Sequence, residues 1–325
     1  MPTTAIAIGI DIGGTNTKFG CVDRQGKCLT ESSLPTNANE AAERLVSRLN
    51  TEIDLVISSL EIPVDLKGIG IGAPNANYYR GTVEDPPNLS WKGVTDVVSL
   101  FQKHFPIPVA ITNDANAAAL GEGLFGAARG MRDYIVITLG TGLGSGLVAN
   151  GELIYGHDGF AGELGHTTVD PDGRECGCGR LGCLETYASA PGICRTVSEL
   201  LAVRRTQSSL RNVAFKTLTA RMVSDAARAG DPIAMEAFEF TGKVLGRKLA
   251  EAVVHTSPEA IILFGGLASA GPLIFEPTHR YMEAQMLNIF RNKVKLLPSG
   301  LSEGNSAVLG ASALIWKEIE KRDKR

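Results

Sequence analysis

The segment at residues 5–22, AIAIGIDIGGTNTKFGCV, holds two apolar runs on either side of a short polar turn. Both runs have the apolar character of buried strands, whereas the turn at 11–18 combines glycines with an aspartate, threonines and a lysine. Such a turn presents backbone N–H groups, hydroxyls and a cation together, and this combination suits a polyphosphate with its Mg²⁺. Taken alone, the segment would equally describe an ordinary β-hairpin.

The pattern of strand, turn and strand occurs a second time. Residues 134–139, YIVITL, lead into the turn GTGLGSG at 140–146 and then into an apolar run that ends at Asn150-Gly151, a typical hairpin turn. The Gly-x-Gly-x-x-Ala spacing inside this segment imitates a dinucleotide fingerprint, but no helix start follows it, so we reject that interpretation. Two phosphate-binding hairpins predict two similar lobes with a ligand cleft between them.

The segment at 162–185, GELGHTTVDPDGRECGCGRLGCLE, concentrates metal ligands. Cys176, Cys178 and Cys183 follow His166 closely, and these four side chains would fill the closed tetrahedral shell of a structural zinc site. Three unrelated buried cysteines are the alternative, but half of the chain's 6 cysteines fall in this one segment. We therefore predict a glycine-rich loop held by Zn²⁺.

Three carboxylates accompany these features. Glu163 and Glu185 flank the metal ligands, and zinc coordination does not require either of them, so we expect both to bind a polar ligand. Asp114 follows a strand predicted at 108–112, at the point where an alanine-rich helix begins. Most aspartates at such a position cap the helix, but a carboxylate at a helix N-terminus is also a competent proton acceptor.

Apolar spacing organises the rest of the chain into strands and helices. It predicts a helix at 39–60 capped by Asn39, a strand at 68–72, a functional loop at 73–91, a strand at 260–264, and helices at 221–229, 232–255 and 306–321. Asp231 and Pro232 have the types preferred at an N-cap and at the first helical position. The last helix starts with small residues, which predicts that another part of the chain approaches it closely.

The composition is globular: 325 residues, of which 44% are hydrophobic and 21% charged. A formal net charge of −3 gives no electrostatic footprint for nucleic acid or for an anionic membrane. No apolar run is long enough to span a bilayer, and residues 1–5 lack the charged region of a signal peptide. Because cysteines used as metal ligands suit a reducing compartment, we predict a cytoplasmic protein without nucleic-acid or membrane partners.

Together these segments resemble the ROK sugar kinases (repressor, open reading frame, kinase), within the actin, Hsp70 and hexokinase fold superfamily. The resemblance covers nearly the whole chain, and its specific parts are DIGGTNTK at 11–18, NDANAAALGE at 113–122, TLGTGLGSG at 138–146 and the metal segment. The stretches GAPNANYY and PPNLSWKG are most similar to the bacterial ATP-dependent glucokinases of that family.

The resemblance implies an α/β, ribonuclease H-like fold with two lobes and a cleft between them. The small lobe would comprise residues 1–112, joined by a C-terminal helix at 306–325. The large lobe would comprise residues 113–305 and would carry the zinc-binding loop.

The resemblance also implies phosphorylation of the 6-hydroxyl of a hexose, with glucose as the first choice. Asp114 would be the general base that takes the hydroxyl proton. The sugar hydroxyls would be bound by Asn88, Asn113, Asp114, Glu163, His166 and Glu185. Of these residues, His166 would also ligate the structural Zn²⁺ together with Cys176, Cys178 and Cys183.

The two hairpins would bind ATP with Mg²⁺, the metal lying near Asp11. The cofactor-binding residues implied are Asp11, Gly13, Gly14, Thr15, Lys18, Thr141 and Gly142, with Gly265 and Gly266 bordering the adenosine. One position departs from the family pattern, because Asn75 stands where ROK proteins often have glycine. Asparagine accommodates a left-handed backbone better than most residues, so the turn can be retained.

Several alternatives stay open. Repressors of the same family carry an N-terminal helix-turn-helix domain, and we expect the ten residues before Asp11 to be too few for one. N-acetylmannosamine, N-acetylglucosamine, mannose or fructose could replace glucose, polyphosphate could replace ATP, and a non-catalytic sugar sensor is the least favoured reading. Because related enzymes are commonly dimers or tetramers, we expect a homodimer or homotetramer that acts in carbohydrate metabolism, at the entry to glycolysis.

Overall fold

The computed structural model describes residues 3–301 and 304–324. The first half contains β1 (Thr4–Ile12), β2 (Asn16–Asp23), β3 (Cys28–Pro35), α1 (Ala42–Ser58), β4 (Val64–Gly72), β5 (Ala76–Asn77), β6 (Thr82–Glu84), β7 (Val94–Asp96), α2 (Val97–Gln102), β8 (Val109–Thr112) and α3 (Asp114–Leu124). The second half contains β9 (Tyr134–Leu139), β10 (Leu143–Ala149), β11 (Glu152–Leu153), α4 (Ala190–Val203), α5 (Ala220–Arg228), α6 (Pro232–Thr256), β12 (Ala260–Phe264), α7 (Pro272–Gln285), β13 (Lys295–Pro298) and α8 (Ser306–Asp323), with short 3₁₀ turns between them.

These elements form two compact units. The first unit is Met1–Met131 with Leu153–Ala161 and Gly300–Arg325, and the second is Arg132–Glu152 with Gly162–Ser299. We predicted the first boundary after Thr112, but the division lies after Met131. The reason is that α3 packs against α8, so both helices belong to the first unit.

A five-stranded sheet in the order β3-β2-β1-β4-β8 forms the centre of the first unit. The hairpin strands β1, β2 and β3 are antiparallel, whereas β4 lies parallel to β1 and β8 parallel to β4. Alternation along β1 buries Ile6, Ile8 and Ile10 on the face that packs with α1. The three parallel strands therefore end at one edge of the sheet.

Helix α8 covers the other face of this sheet. Ala7 packs there with Ile315 and Trp316, and a side chain at Gly9 would overlap the carbonyl oxygen of Val308. Glycine is thus required in β1 because the helix backbone approaches the strand without intervening side chains. The close approach predicted from the small residues of this helix agrees with the packing.

The second unit contains another five-stranded sheet, in the order β11-β10-β9-β12-β13. Its β9–β10 hairpin is antiparallel, and β12 and β13 continue the sheet in parallel. Helices α4 to α7 contribute most of the apolar core that covers it. The predicted start of α6 is confirmed, since the Asp231 carboxylate accepts hydrogen bonds from the N–H groups of Ile233 and Ala234 at 3.1 and 3.2 Å.

Two local predictions were wrong. The residue before α1 is Ala41, which offers no side-chain cap, and Asn39 lies in the preceding turn. The region 73–91 is not an unstructured loop, because β5 and β6 pair there within a small antiparallel sheet completed by β7. Within residues 3–301 and 304–324, none of the helices combines the length and apolar character needed to cross a membrane.

Candidate active site

The strands of the first unit bring Asp11 and Asp114 to the same sheet edge. Asp11 pairs with Gly72 in the register of β1 and β4, and Gly72 pairs with Thr112 in the register of β4 and β8. Asp114 follows two residues later, as the first residue of α3. Ligands of α/β proteins characteristically bind beyond the carboxyl ends of parallel strands.

Gly72 separates the two aspartates. A Cβ atom at this position would lie 3.7 Å from Oδ1 of Asp11 and 3.9 Å from Cα of Asp114. Any larger side chain would therefore project into the space beside both residues. The structure thus brings the predicted general base and the predicted Mg²⁺-side carboxylate around one glycine.

Asn113, rather than Asp114, caps helix α3. The Asn113 side-chain oxygen accepts a hydrogen bond from the N–H of Asn116 at 2.7 Å. Oδ1 of Asp114 accepts from the N–H of Ala115 at 2.9 Å, which leaves Oδ2 as the oxygen for a ligand. Because Asn113 caps the helix, Asp114 is available for catalysis. The side-chain oxygen of Asn113 is already engaged by the N–H of Asn116.

The environment of the two carboxyl groups raises both pKa values. Surrounding protein raises the pKa of Asp114, against the opposing hydrogen bonds from the N–H groups of Ala115 and of Asp114 itself. Asp114 nevertheless retains solvent-accessible surface, so a proton on its carboxyl group can reach water. Burial, followed by the charge of Asp114, raises the pKa of Asp11 to about 6, and Lys18 counteracts part of this increase.

The first phosphate turn joins β1 to β2 beside these carboxylates. The N–H of Gly13 donates to the carbonyl of Asn16 at 3.2 Å, and the Thr36 hydroxyl donates to the carbonyl of Gly13 at 2.7 Å. Thr15 is exposed at the tip of the turn. The backbone of this turn is therefore held by Thr36, the residue that follows β3. The local sequence pattern could not reveal this contribution.

Lys18 and Asn88 complete the surroundings of this turn. Lys18 pairs with Asp11 across the hairpin, and its ammonium group donates to the carbonyl of Gly304 at 3.2 Å. A Cβ atom on Gly14 would lie 2.9 Å from Cβ of Asn88. Asn88, predicted to contact the sugar, thus lies against the predicted phosphate turn. The predicted left-handed turn at Asn75 is present, with a φ of 51°.

The second phosphate turn joins β9 to β10 in the second unit. The N–H of Gly140 donates to the carbonyl of Gly142 at 3.0 Å, and the N–H of Ala190, at the start of α4, donates to the carbonyl of Gly140 at 2.9 Å. Thr141 is exposed at the tip. The chain beyond Gly265 returns to this hairpin, because the N–H of Leu267 donates to the carbonyl of Leu139 at 3.1 Å.

Gly265 has a φ of 102°, a backbone conformation that favours glycine. A Cβ atom there would lie 2.7 Å from the Leu139 carbonyl oxygen. Glycine therefore allows the turn that includes Gly266 to pack against the end of β9. The structure brings the predicted adenosine-side glycines next to the predicted phosphate turn.

The four predicted zinc ligands converge. One ligand atom from each of His166, Cys176, Cys178 and Cys183 lies within 4.8 Å of the others. Nδ1 of His166 is 3.7 Å from Sγ of Cys176, and the Sγ atoms of Cys178 and Cys183 are also 3.7 Å apart. Tetrahedral zinc with Zn–S bonds of about 2.3 Å separates its sulfur atoms by roughly 3.8 Å. The donor set and its spacing therefore fit Zn²⁺.

Arg174 attaches the segment at 162–185, called the metal loop below, to α4. Its side chain is 5% exposed and pairs with Glu199, and its guanidinium group donates to the carbonyls of Thr186 and Gly192 at 2.7 and 3.1 Å. It also donates to the Thr196 hydroxyl at 2.9 Å. An arginine in a polar loop usually indicates a solvated charge, so its buried role could not be read from the sequence.

Glu163 and Glu185 lie on either side of the cluster. Glu163 precedes the 3₁₀ turn Leu164–His166, which is held against β10 by the Ser145 hydroxyl through the carbonyl of Gly162 and the N–H of Leu164. Oε2 of Glu185 accepts from the N–H of Leu143 at 2.9 Å. Both carboxylates thus belong to the same unit as the metal ligands, whereas Asn88, Asn113 and Asp114 belong to the first unit.

A small hollow of about 200 Å³ lies beside the second phosphate turn. Its lining includes Thr141, Glu185, Ser189, Arg195 and Phe215. Ser189 caps α4, its hydroxyl accepting from the N–H of Gly192 at 3.1 Å. We did not single out Ser189, Arg195 or Phe215 from the sequence, because nothing in their local pattern distinguishes them from an ordinary cap or surface residue.

Known proteins that are similar to this chain include glucokinases and a transcriptional regulator. A glucokinase from Halalkalibacterium halodurans is 34% identical over 322 residues, covering 98% of this chain and 97% of the relative. A ROK family glucokinase from Streptomyces griseus, solved with glucose and AMPPNP, is 32% identical with a TM-score of 0.77, covering 96% of this chain and 99% of the other. A ROK family transcriptional regulator, a homologue of the E. coli MLC protein, is 26% identical with a TM-score of 0.86, covering 97% and 78%.

These similarities confirm the predicted α/β fold class of the actin-like, two-lobed proteins. The ROK family model matches residues 7–318, nearly the whole chain. The match includes both hairpins, the segment around Asp114 and the cysteine–histidine cluster. We conclude that this chain belongs to the ROK family.

Proposed function

We propose that this chain is a sugar kinase that transfers the γ-phosphoryl group of ATP to the 6-hydroxyl of a hexose, with glucose as the preferred acceptor. The proposal is carried by the arrangement of Asp11 and Asp114 around Gly72 at the carboxyl ends of three parallel strands. Glucokinases that match over nearly their whole length support the choice of glucose and of ATP.

Asp114 acts as the general base in this proposal. A bond forms between the sugar O6 and the γ-phosphorus while the bond from that phosphorus to the ADP oxygen breaks, and the hydroxyl proton passes to Oδ2 of Asp114. A raised pKa suits the task, because a base is most effective when its pKa lies nearer the working pH. Phosphoryl transfer otherwise depends on positioning and on charge neutralisation.

The two hairpins hold the nucleotide. Backbone N–H groups of Gly14, Thr15, Thr141 and Gly142 contact the phosphates, with Gly13 and Lys18 beside the first turn and Gly265–Gly266 beside the adenosine. Asp11 would hold Mg²⁺, since a carboxylate is a preferred hard ligand. When bound, Mg²⁺ neutralises charge on the phosphates.

The sugar hydroxyls form hydrogen bonds with Asn88, Asn113, Glu163, His166 and Glu185. Zn²⁺ would be held by Nδ1 of His166 and the three cysteines, so that its role is to fix the loop, because protein ligands complete the coordination shell. The other nitrogen of His166 is then available to a hydroxyl group. We further propose that the protein is cytoplasmic, on the basis of the cysteine ligands, and that it has no nucleic-acid or membrane partners, on the basis of the near-neutral charge. The resemblance to related enzymes supports a homodimer or homotetramer.

A non-catalytic sugar sensor is the second candidate, because the transcriptional regulator gives a higher TM-score, 0.86, than the glucokinase, 0.77. The two candidates differ in turnover. We would measure ADP release with Mg²⁺-ATP, and with polyphosphate as the alternative donor. The acceptor panel comprises glucose, mannose, fructose, N-acetylglucosamine and N-acetylmannosamine.

The proposal expects turnover that is fastest with glucose and is reduced by about 10²- to 10⁴-fold in Asp114→Asn, with sugar affinity and circular dichroism retained. Turnover of the variant within about tenfold of the parent would refute Asp114 as the base. Glucose binding by calorimetry without turnover of any acceptor would favour the sensor.

A further inference from the structure

Glu185 links the metal cluster to the second phosphate turn. Its Oε2 accepts a hydrogen bond of 2.9 Å from the N–H of Leu143, the first residue of β10. Its Oε1 lies 3.8 Å from Sγ of Cys176, a ligand of the proposed zinc site. One carboxylate therefore contacts two parts of the second unit that the proposed function uses separately.

The position of Glu185 is fixed from the metal side. Glu185 lies in the 3₁₀ turn Leu184–Thr186, which begins directly after the metal ligand Cys183. The N–H of Leu184 donates to the carbonyl of Thr167 at 2.9 Å, and Thr167 follows the ligand His166. Metal bound by Cys183 and His166 would thus hold the backbone that carries Glu185.

The position of Glu185 also constrains the phosphate turn. A Cβ atom on Gly142 would overlap Oε2 of Glu185, so the turn is packed directly on the carboxylate. The hydrogen bond from Leu143 partly neutralises the negative charge and fixes its direction. A carboxylate released from that bond would be free to oppose the negative phosphates of a nucleotide.

We infer that Glu185 is a positioning residue through which the metal-bound loop sets the conformation of the phosphate turn, so that loss of the metal weakens nucleotide binding. This inference rests on the proposed function, because it requires the turn to bind nucleotide. It adds a role for Glu185 that is separate from contact with the sugar. A residue that contacted only the sugar would not affect nucleotide affinity in the absence of sugar.

The first test measures binding of Mg²⁺-ADP by calorimetry without sugar. Glu185→Ala should weaken binding by about tenfold, as expected for loss of a hydrogen bond to a charged group. Glu185→Gln should retain most of the affinity, because the amide oxygen can still accept from Leu143. Asp172→Asn, which removes an exposed carboxylate from the same loop, serves as the matched control and should bind like the parent.

Hydrogen exchange gives a second readout. The Leu143 amide should exchange faster in Glu185→Ala and stay protected in Glu185→Gln. If Glu185→Ala does not fold, Glu185→Asp replaces it, because its shorter side chain draws the carboxylate away from the N–H of Leu143 and should reproduce the loss of ADP affinity. Unchanged or tighter ADP binding in Glu185→Ala or Glu185→Asp would overturn the inference.

A double-mutant cycle of Cys178→Ser and Glu185→Ala tests the contribution of the metal to ADP binding. Zinc content is measured on each variant. Cys178→Ser should lower ADP affinity in the parent but add little to Glu185→Ala, because both changes act through the same carboxylate. Additive effects would overturn the inference. A parent protein that binds no ADP would instead refute the proposed function, so the two failures are distinguishable.

Discussion

The buried position of Asp11 lowers the stability of the folded protein at neutral pH. Burial, followed by the charge of Asp114, raises the pKa of Asp11 from its ordinary value of 3.8 to about 6. The folded state then binds a proton more tightly than the unfolded state, so the stabilising contribution present below pH 3.8 is lost as the pH rises through about 6. The cost at neutral pH is at most about 3 kcal/mol for such a shift.

We therefore expect Asp11→Asn to stabilise the protein at pH 7.5 by about 1–3 kcal/mol in Mg²⁺-free buffer, while abolishing turnover. The advantage should shrink towards zero near pH 4, as urea unfolding at both pH values would show. Asp65→Asn is the control, since this carboxylate is half exposed elsewhere in the same sheet. A gain for Asp11→Asn that does not depend on pH would contradict the electrostatic explanation.

One buried cation, Arg174, holds the metal loop against α4. Arg174 and Arg195 both pair with Glu199, but their side chains are 5% and 43% exposed. Arg174→Lys cannot reproduce the contacts with Thr186, Gly192 and Thr196, and it should lower the free energy of unfolding by about 2–4 kcal/mol. Arg195→Lys should change it by less than about 0.5 kcal/mol.

Chemical denaturation of both variants measures this difference. Equal losses would mean that the shared Glu199 pair, rather than burial of the guanidinium group, stabilises α4. The pair also exposes a general limit of sequence reasoning, because Arg174 and Arg195 look equivalent until their surroundings are known.

The elements that the sequence predicts best are those specified by neighbouring residues. The two hairpins and the cluster of His166 with its cysteines are local patterns, and both occur as expected. Gly72 beside two aspartates and Glu185 beside Leu143 depend on residues distant in the chain. Neither contact has a periodicity or spacing that could have indicated it, because strand register and loop packing are set by the folded sheet.

At the scale of the whole molecule, each of the two units has a large apolar core of its own. The core of the first unit includes Ile8 and Ile71, and that of the second includes Ile137 and Val197. The metal loop packs within the second unit, where Leu184 and Tyr187 join the core. Metal loss should therefore loosen the second unit selectively, since local opening follows the contacts that are removed.

Cys178→Ser tests this expectation, because Cys178 is an exposed member of the cysteine–histidine cluster and its replacement removes little packing. Hydrogen exchange should accelerate in residues 162–187 and at the start of α4, whereas β1 and β4 keep their protection. Cys28→Ser, a partly exposed cysteine outside the cluster, should leave both regions unchanged. Equal acceleration in both units would mean that the metal stabilises the chain globally, whereas no acceleration would mean that the loop folds through Arg174 and its backbone hydrogen bonds alone.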